Sequence, residues 1–161
     1  MMNKFKFAIV LFGLVFAVSC GERKEPISNL GEVTSDERNE ILVLANKIGR
    51  ASELMIVTDV MKYLAKDVVI KKDYESSFPT FNYDSYRKYI SQAFPLLSNY
   101  QYIRSNETFE RAENKKDIIL RMSLNEKYIF QNKRLDETHR ESWWVRKVDN
   151  KYEVYQILIQ N

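Results

Sequence analysis

A histidine and a carboxylate two residues apart are the clearest candidates for chemistry in this chain of 161 residues. His139, Glu141 and Trp143 alternate along a predicted β-strand, so their side chains share one face of it. A carboxylate beside an imidazole can orient it as a general base. Arg121, on the neighbouring predicted strand, is a fourth candidate. This spacing predicts a proton-transfer site if the shared face lines a pocket.

The residues around the histidine favour a different interpretation. The run 134–141 is polar on both faces of the predicted strand, which is typical of the exposed end of a long strand. We therefore expect His139 and Glu141 to face solvent, and we assign no catalytic residue.

A run of aromatic residues lies between the predicted helices. It contains Tyr74, Phe78, Phe81, Tyr83, Tyr86 and Tyr89. Such residues either form the lip of a binding site or pack in the core and its loops, and the sequence leaves both interpretations open.

Composition excludes several other function classes. One histidine and one cysteine are too few for a His/Cys metal cluster, so we expect no metal and no cofactor. No glycine follows Gly49, which leaves neither a phosphate-binding loop nor a dinucleotide-binding motif. The net charge is +3, and Lys4 and Lys6 supply two of those charges, so the rest of the chain is at +1. This balance predicts no nucleic-acid partner.

The first twenty residues have the features of an export signal. Lys4 and Lys6 precede an apolar stretch over 7–18 that is too short to span a bilayer comfortably. The following residues, Ala17-Val18-Ser19-Cys20, resemble a bacterial lipobox. The resemblance implies cleavage before Cys20 and attachment of a diacylglycerol, with acyl chains such as palmitate, to its thiol.

Three regions follow from this interpretation. We predict a lipoprotein signal peptide over 1–19, a lipid-anchored tether over 20–33 and a folded domain over 34–161. Residues 21–33 can reach at most about 45 Å when fully extended. The resemblance implies anchoring to the cell envelope, in the outer membrane if the source is Gram-negative.

The folded domain reads as helices followed by strands, an α+β domain with a curved antiparallel sheet. Apolar periodicity and capping residues predict three helices. The first covers about 35–56, and the third runs from 84 to about 94. The second begins at 58 and carries Leu64 and Ala65 on its apolar side. Alternation of apolar and polar residues predicts a short strand over 67–70 and long strands over 100–112, from 118 to about 125, 135–147 and 152–159. Asp149-Asn150 is predicted to form the last hairpin turn.

Two segments of this domain carry a family resemblance. Residues 58–70 resemble the second helix and first strand of the nuclear transport factor 2-like superfamily, also called SnoaL-like or cystatin-like. Residues 143–154 resemble its closing hairpin, with Asn150 in place of the usual glycine. The resemblance implies a cone-shaped fold with a pocket at its wide end, and a possible homodimer through the sheet.

Members of that superfamily include isomerases, dehydratases and many proteins that only bind. Our leading hypothesis is therefore a membrane-anchored protein that binds a small apolar ligand or an envelope protein without catalysis. The first alternative is an isomerase- or dehydratase-like enzyme of proton-transfer or hydration type that uses His139 and Glu141. The second alternative is a structural subunit of an envelope complex, with the sheet as its interface.

Overall fold

The structure is a computed structural model that describes residues 31–73 and 79–161. The signal peptide predicted over 1–19, the lipid attachment at Cys20 and residues 20–30 of the predicted tether lie outside the described residues. Tyr74 and Phe78 of the aromatic run also lie outside them.

The described residues form three α-helices, two before the first strand of the sheet and one after it. They are α1 (Ser35–Glu53), α2 (Val57–Met61) and α3 (Tyr83–Ala93), and α3 continues into a 3₁₀ turn over Phe94–Leu96. Helix α1 begins with the predicted capping box, in which the Thr34 side chain accepts a hydrogen bond from the backbone of Glu37.

The described residues form one five-stranded sheet, whose first strand lies between α2 and α3 in the chain and whose other four strands follow α3. Its strands are β1 (Leu64–Lys72), β2 (Leu97–Arg111), β3 (Ile118–Phe130), β4 (Lys133–Val148) and β5 (Lys151–Gln160). Their order in the sheet is β1-β5-β4-β3-β2, with β1 parallel to β5 and every other pair antiparallel. The predicted α+β class with a curved sheet is confirmed, and the parallel edge strand is an addition to it.

The second helix is shorter than predicted. Leu64 and Ala65, expected on its apolar side, begin β1 instead. Leu64 pairs with Val154 of β5, and the Val154 backbone N–H donates to the Tyr63 carbonyl at 3.0 Å. Pairing with the sheet therefore outweighs the local helical pattern at these residues.

The core lies between the helices and one face of the sheet, which we call the inner face. Ile118, Leu120 and Trp143 on the inner face are at most 1% exposed. The opposite face, which we call the outer face, carries the residues that alternate with them. The closing turn forms at Asp149-Asn150 as predicted, with φ of 48° and 60°.

Candidate functional site: a cavity on the inner face of the sheet

A cavity of about 510 Å³ lies between α3 and the inner face of the sheet. Aliphatic side chains and many rings line it, among them Tyr86, Tyr89, Tyr100, Tyr102, Tyr128 and Trp143. A volume of this size accommodates a small organic ligand, and a mostly apolar lining with a few polar groups is typical of ligand sites.

His139 and Glu141 point into this cavity from β4. His139 Nε2 lies 3.1 Å from Glu141 Oε1, and Trp143 Nε1 donates to Glu141 Oε2 at 2.6 Å. The side chains of His139 and Glu141 are only 11% and 9% exposed. The expectation that they face solvent is therefore wrong, because the polar inner face of β4 lines a cavity.

A second carboxylate, which the sequence analysis missed, faces the same imidazole. Glu126 on β3 places its Oε2 atom 4.0 Å from His139 Nδ1 and accepts a hydrogen bond from the Tyr100 hydroxyl. The signal for Glu126 was present, because it extends the inner-face alternation of β3 by one step beyond Leu124.

The two carboxylates change how the imidazole holds its proton. Burial lowers the pKa of His139, but the hydrogen bond to Glu141 and the charges of Glu141 and Glu126 outweigh it, so the pKa is raised. Burial also raises the pKa of Glu126, against the opposing effect of the Tyr100 hydrogen bond. The cluster is thus arranged to hold a proton, which is what a general acid–base site needs.

The tyrosines around the cavity are neutral hydrogen-bonding groups. Burial raises the pKa of Tyr86, Tyr100 and Tyr102 above the ordinary phenol value. Tyr102 is placed by a glycine, because a Cβ atom at Gly49 would lie 2.8 Å from its ring. The absence of a side chain at Gly49 lets α1 approach this ring closely.

Arg121 does not belong to the site. It pairs with Ser142 in the register of β3 and β4, whereas Leu120 pairs with Trp143, so Arg121 lies on the outer face. Its Nη1 atom donates to Ser142 Oγ at 3.1 Å, and Nη2 contacts Glu110 Oε1 at 2.5 Å. The prediction that Arg121 completes the pocket is therefore wrong, for reasons of strand alternation.

The aromatic run divides between the two interpretations. Tyr86 and Tyr89 line the cavity. Phe81 packs against both of them, with ring centroids at 5.9 and 4.9 Å. Tyr83 donates from its hydroxyl to the Met61 carbonyl at 3.3 Å, which is a packing role.

Within residues 31–73 and 79–161, no group of three or more His, Cys, Asp or Glu side chains is arranged to hold a metal ion. None of the helices in this part of the chain is long and apolar enough to cross a membrane.

No protein-family model and no curated protein matches this sequence. Solved structures do match the fold. One is the crystal structure of a candidate aromatic ring hydroxylase from Novosphingobium aromaticivorans, with a TM-score of 0.72, 12% identity, and 80% of this chain and 91% of that chain covered. Another is a candidate scytalone dehydratase from the same organism, with a TM-score of 0.68, 13% identity, and coverage of 77% and 83%.

A third match is a nuclear transport factor 2-like protein from Cytophaga hutchinsonii. Its TM-score is 0.64 at 15% identity, with 77% of this chain and 97% of that chain covered. The chain therefore has the cone-shaped nuclear transport factor 2-like fold. At such identities the similarity establishes the fold alone, so any functional argument depends on the side chains of the cavity.

Proposed function

We propose that this chain is a lipid-anchored envelope protein whose cavity binds a small, mostly apolar ligand. The observation that carries the proposal is the cavity of about 510 Å³, in which rings and aliphatic groups surround a few polar side chains. Apolar lining supplies affinity, and a few fixed polar groups supply orientation.

The polar groups indicate which ligand features the cavity accommodates. Glu126 and Glu141 present acceptor oxygens, and the neutral tyrosine hydroxyls present donors. A ligand with one hydroxyl, carbonyl or amine group on a hydrocarbon frame would satisfy this set.

Uptake of an apolar fluorescent probe tests the binding proposal. N-phenyl-1-naphthylamine brightens in apolar surroundings, and we expect the full chain to bind it. Ala93 lines the cavity, so Ala93→Trp fills part of the space and should weaken probe binding at least tenfold. Val43→Trp is the matched control, because Val43 is 50% exposed on α1 and away from the cavity. Equal loss in both variants, or no binding at all, would contradict the proposal.

Attachment to the membrane is the second part of the proposal, and it rests on the sequence 17–20. Cys20→Ala should abolish incorporation of labelled palmitate and leave an uncleaved precursor. Ser19→Ala keeps a small residue before the cysteine and should be processed normally. Normal processing and labelling of Cys20→Ala would refute the anchor.

Proton-transfer catalysis is a second candidate, favoured by the polar cluster in the cavity. His139 Nε2 is held by Glu141, whereas Nδ1 is 4.0 Å from Glu126 Oε2, beyond hydrogen-bonding distance. Nδ1 is therefore the ring nitrogen that neither carboxylate of the cluster engages in a hydrogen bond. A ligand recovered from the purified chain should then exchange a carbon-bound proton with deuterated water, and His139→Gln should stop the exchange while leaving binding intact. Exchange that is equally fast in His139→Gln would leave only the binding function.

A further inference from the structure

The cavity opens beside an exposed apolar surface that its binding role does not explain. We call this surface the apolar rim, and it consists of Leu54–Val57, Phe94–Leu97 and Phe130. Leu96, Leu54 and Ile56 are 61%, 50% and 38% exposed. Exposed apolar side chains are ordinary when isolated, but a contiguous set usually marks an interface.

The three segments of the rim are contiguous: the first two share a groove, and the second is paired with the third in the sheet. Met55 and Val57 share a shallow groove with Phe94, Pro95 and Leu97. Leu97 at the start of β2 pairs with Phe130 at the end of β3.

The same residues reach the cavity. Phe94, Leu96, Leu97 and Phe130 line it, so the apolar rim borders its opening. A ligand that enters or leaves on this side passes over apolar side chains and not over a polar surface.

Basic side chains lie beside the rim at the turn between β3 and β4. Phe130 pairs with Lys133 and Ile129 pairs with Arg134, and both basic residues are exposed. Exposed apolar groups flanked by Lys and Arg are the combination that favours a bilayer surface with anionic headgroups. Acids lie nearby as well. Glu137 accepts a hydrogen bond from the Tyr128 hydroxyl at 2.7 Å, and Asp136 pairs with Lys127 at 3.6 Å. Beside Leu54–Val57, Glu53 pairs with Arg50 at 3.3 Å and Asp59 is exposed.

The length of the N-terminal segment permits this orientation. Helix α1 has 19 residues, so its start lies about 28 Å from the rim residues that follow its end. Val33 is packed in the core at 4% exposure, so only residues 21–30 are counted, and they can reach at most about 35 Å, which still exceeds that distance. A chain anchored at Cys20 can therefore lay its wide end on the same membrane.

We propose that the apolar rim docks on the bilayer surface, so that the cavity exchanges an apolar ligand directly with the lipid. The exchange step rests on the proposed ligand-binding function, whereas the docking step does not. The occupant of the rim is a lipid surface, not a second copy of the chain.

Fluorescent labelling tests the docking step without any ligand. The mature lipid-anchored chain, whose one native cysteine carries the lipid, is given either Leu96→Cys or Lys116→Cys and is labelled at the introduced thiol with the dye NBD. It is then reconstituted into vesicles of phosphatidylcholine and phosphatidylglycerol. Lys116 precedes β3, whose 13 residues extend about 43 Å to the rim. We expect blue-shifted emission and quenching by nitroxide-labelled lipid at position 96, and neither at position 116.

Two results would overturn docking. One is equal quenching, or no quenching, at both positions. The other is a blue shift at position 96 that grows with protein density and resists lipid quenching, which would assign the rim to a second copy.

Transfer kinetics test the exchange step. Leu54→Asp with Ile56→Asp, two exposed rim residues that do not line the cavity, should slow uptake of N-phenyl-1-naphthylamine from vesicles about tenfold and leave its affinity in water unchanged. Val43→Asp adds a charge at an exposed apolar residue outside the rim, and this variant should transfer normally. An unchanged rate in the double variant would overturn the exchange. Loss of binding in water by the parent chain would instead refute the ligand-binding function.

Discussion

The two faces of β4 have equally polar residues near its start but place them in different surroundings. On the inner face, His139 and Glu141 keep only 11% and 9% of their side-chain surface exposed. On the outer face, Asp136 keeps 55%. The inner face lines the cavity, which α3 and β2 close from the other side. No described element packs over the outer face at these residues. The comparison shows that polarity along a strand does not indicate exposure when one face lines a cavity.

The largest expected effect separates two adjacent tryptophans. Trp143 on the inner face is 1% exposed, and Trp144 on the outer face is half-buried. Trp143→Ala removes a core side chain and should lower the free energy of unfolding by about 3–5 kcal/mol. Trp144→Ala should lower it by about 1 kcal/mol. Urea denaturation measures both, and equal losses would contradict the assignment of the two faces.

Removal of a carboxylate should also lower the free energy of unfolding more on the inner face than on the outer face. Glu141→Ala leaves the Trp143 indole N–H and the His139 imidazole without their partner in a buried place, at a cost of about 1–3 kcal/mol. Glu110→Ala breaks an ion pair with Arg121 whose side chains are 51% and 46% exposed. That change should cost less than about 1 kcal/mol. A Glu110 effect as large as that of Glu141 would show that the two carboxylates have similar surroundings.

The sequence predicted the strands of the sheet better than it predicted which polar side chains face the cavity. Alternation of apolar and polar residues predicted β3, and the same alternation places Arg121 on the face opposite Leu120 and Met122. A stricter use of the pattern would have excluded Arg121 and included Glu126. The Glu126 error comes from stopping the alternation where the apolar residues end, and the Arg121 error comes from not applying the alternation within that run.

The burial of His139 and Glu141 could not be predicted in this way. It depends on α3 and on β2, whose residues close the cavity from far away in the sequence. The end of α2 is a similar case, because Leu64 joins β1 through its pairing with Val154 on the last strand. Long-range contacts of this kind leave no local pattern.

The single histidine gives a pH test of the inner face. Glu141 and Glu126 raise its folded-state pKa above 6.5, against the lowering effects of burial and Lys72. A raised pKa gives stability that is fully present below the unfolded pKa and is lost as pH rises through the folded pKa. Burial also raises the pKa of Glu126 above its ordinary value of 4.5. The stability that the protonated carboxyl contributes is therefore also lost as pH rises through this raised pKa.

Titration of the imidazole by NMR measures this directly. Glu126→Gln removes one of the two negative charges near the ring, so we expect the pKa of His139 to fall. Glu110→Gln removes a charge from the outer face and should leave the pKa unchanged. His139→Gln should flatten the pH dependence of stability above pH 6.5. A pKa of His139 at its ordinary value in the parent chain would contradict the proposed cluster.

The smallest expected effect belongs to Arg121. It lies on the outer face with Ser142 and Glu110 and faces away from the cavity, so Arg121→Gln should change probe affinity by less than about twofold, or 0.4 kcal/mol. The same substitution should leave the pKa of His139 unchanged, because the two side chains lie on opposite faces of the sheet. Probe titration and the same NMR measurement detect either change. A shift in either quantity would mean that the outer face acts on the cavity through the sheet, and that the two faces are not independent.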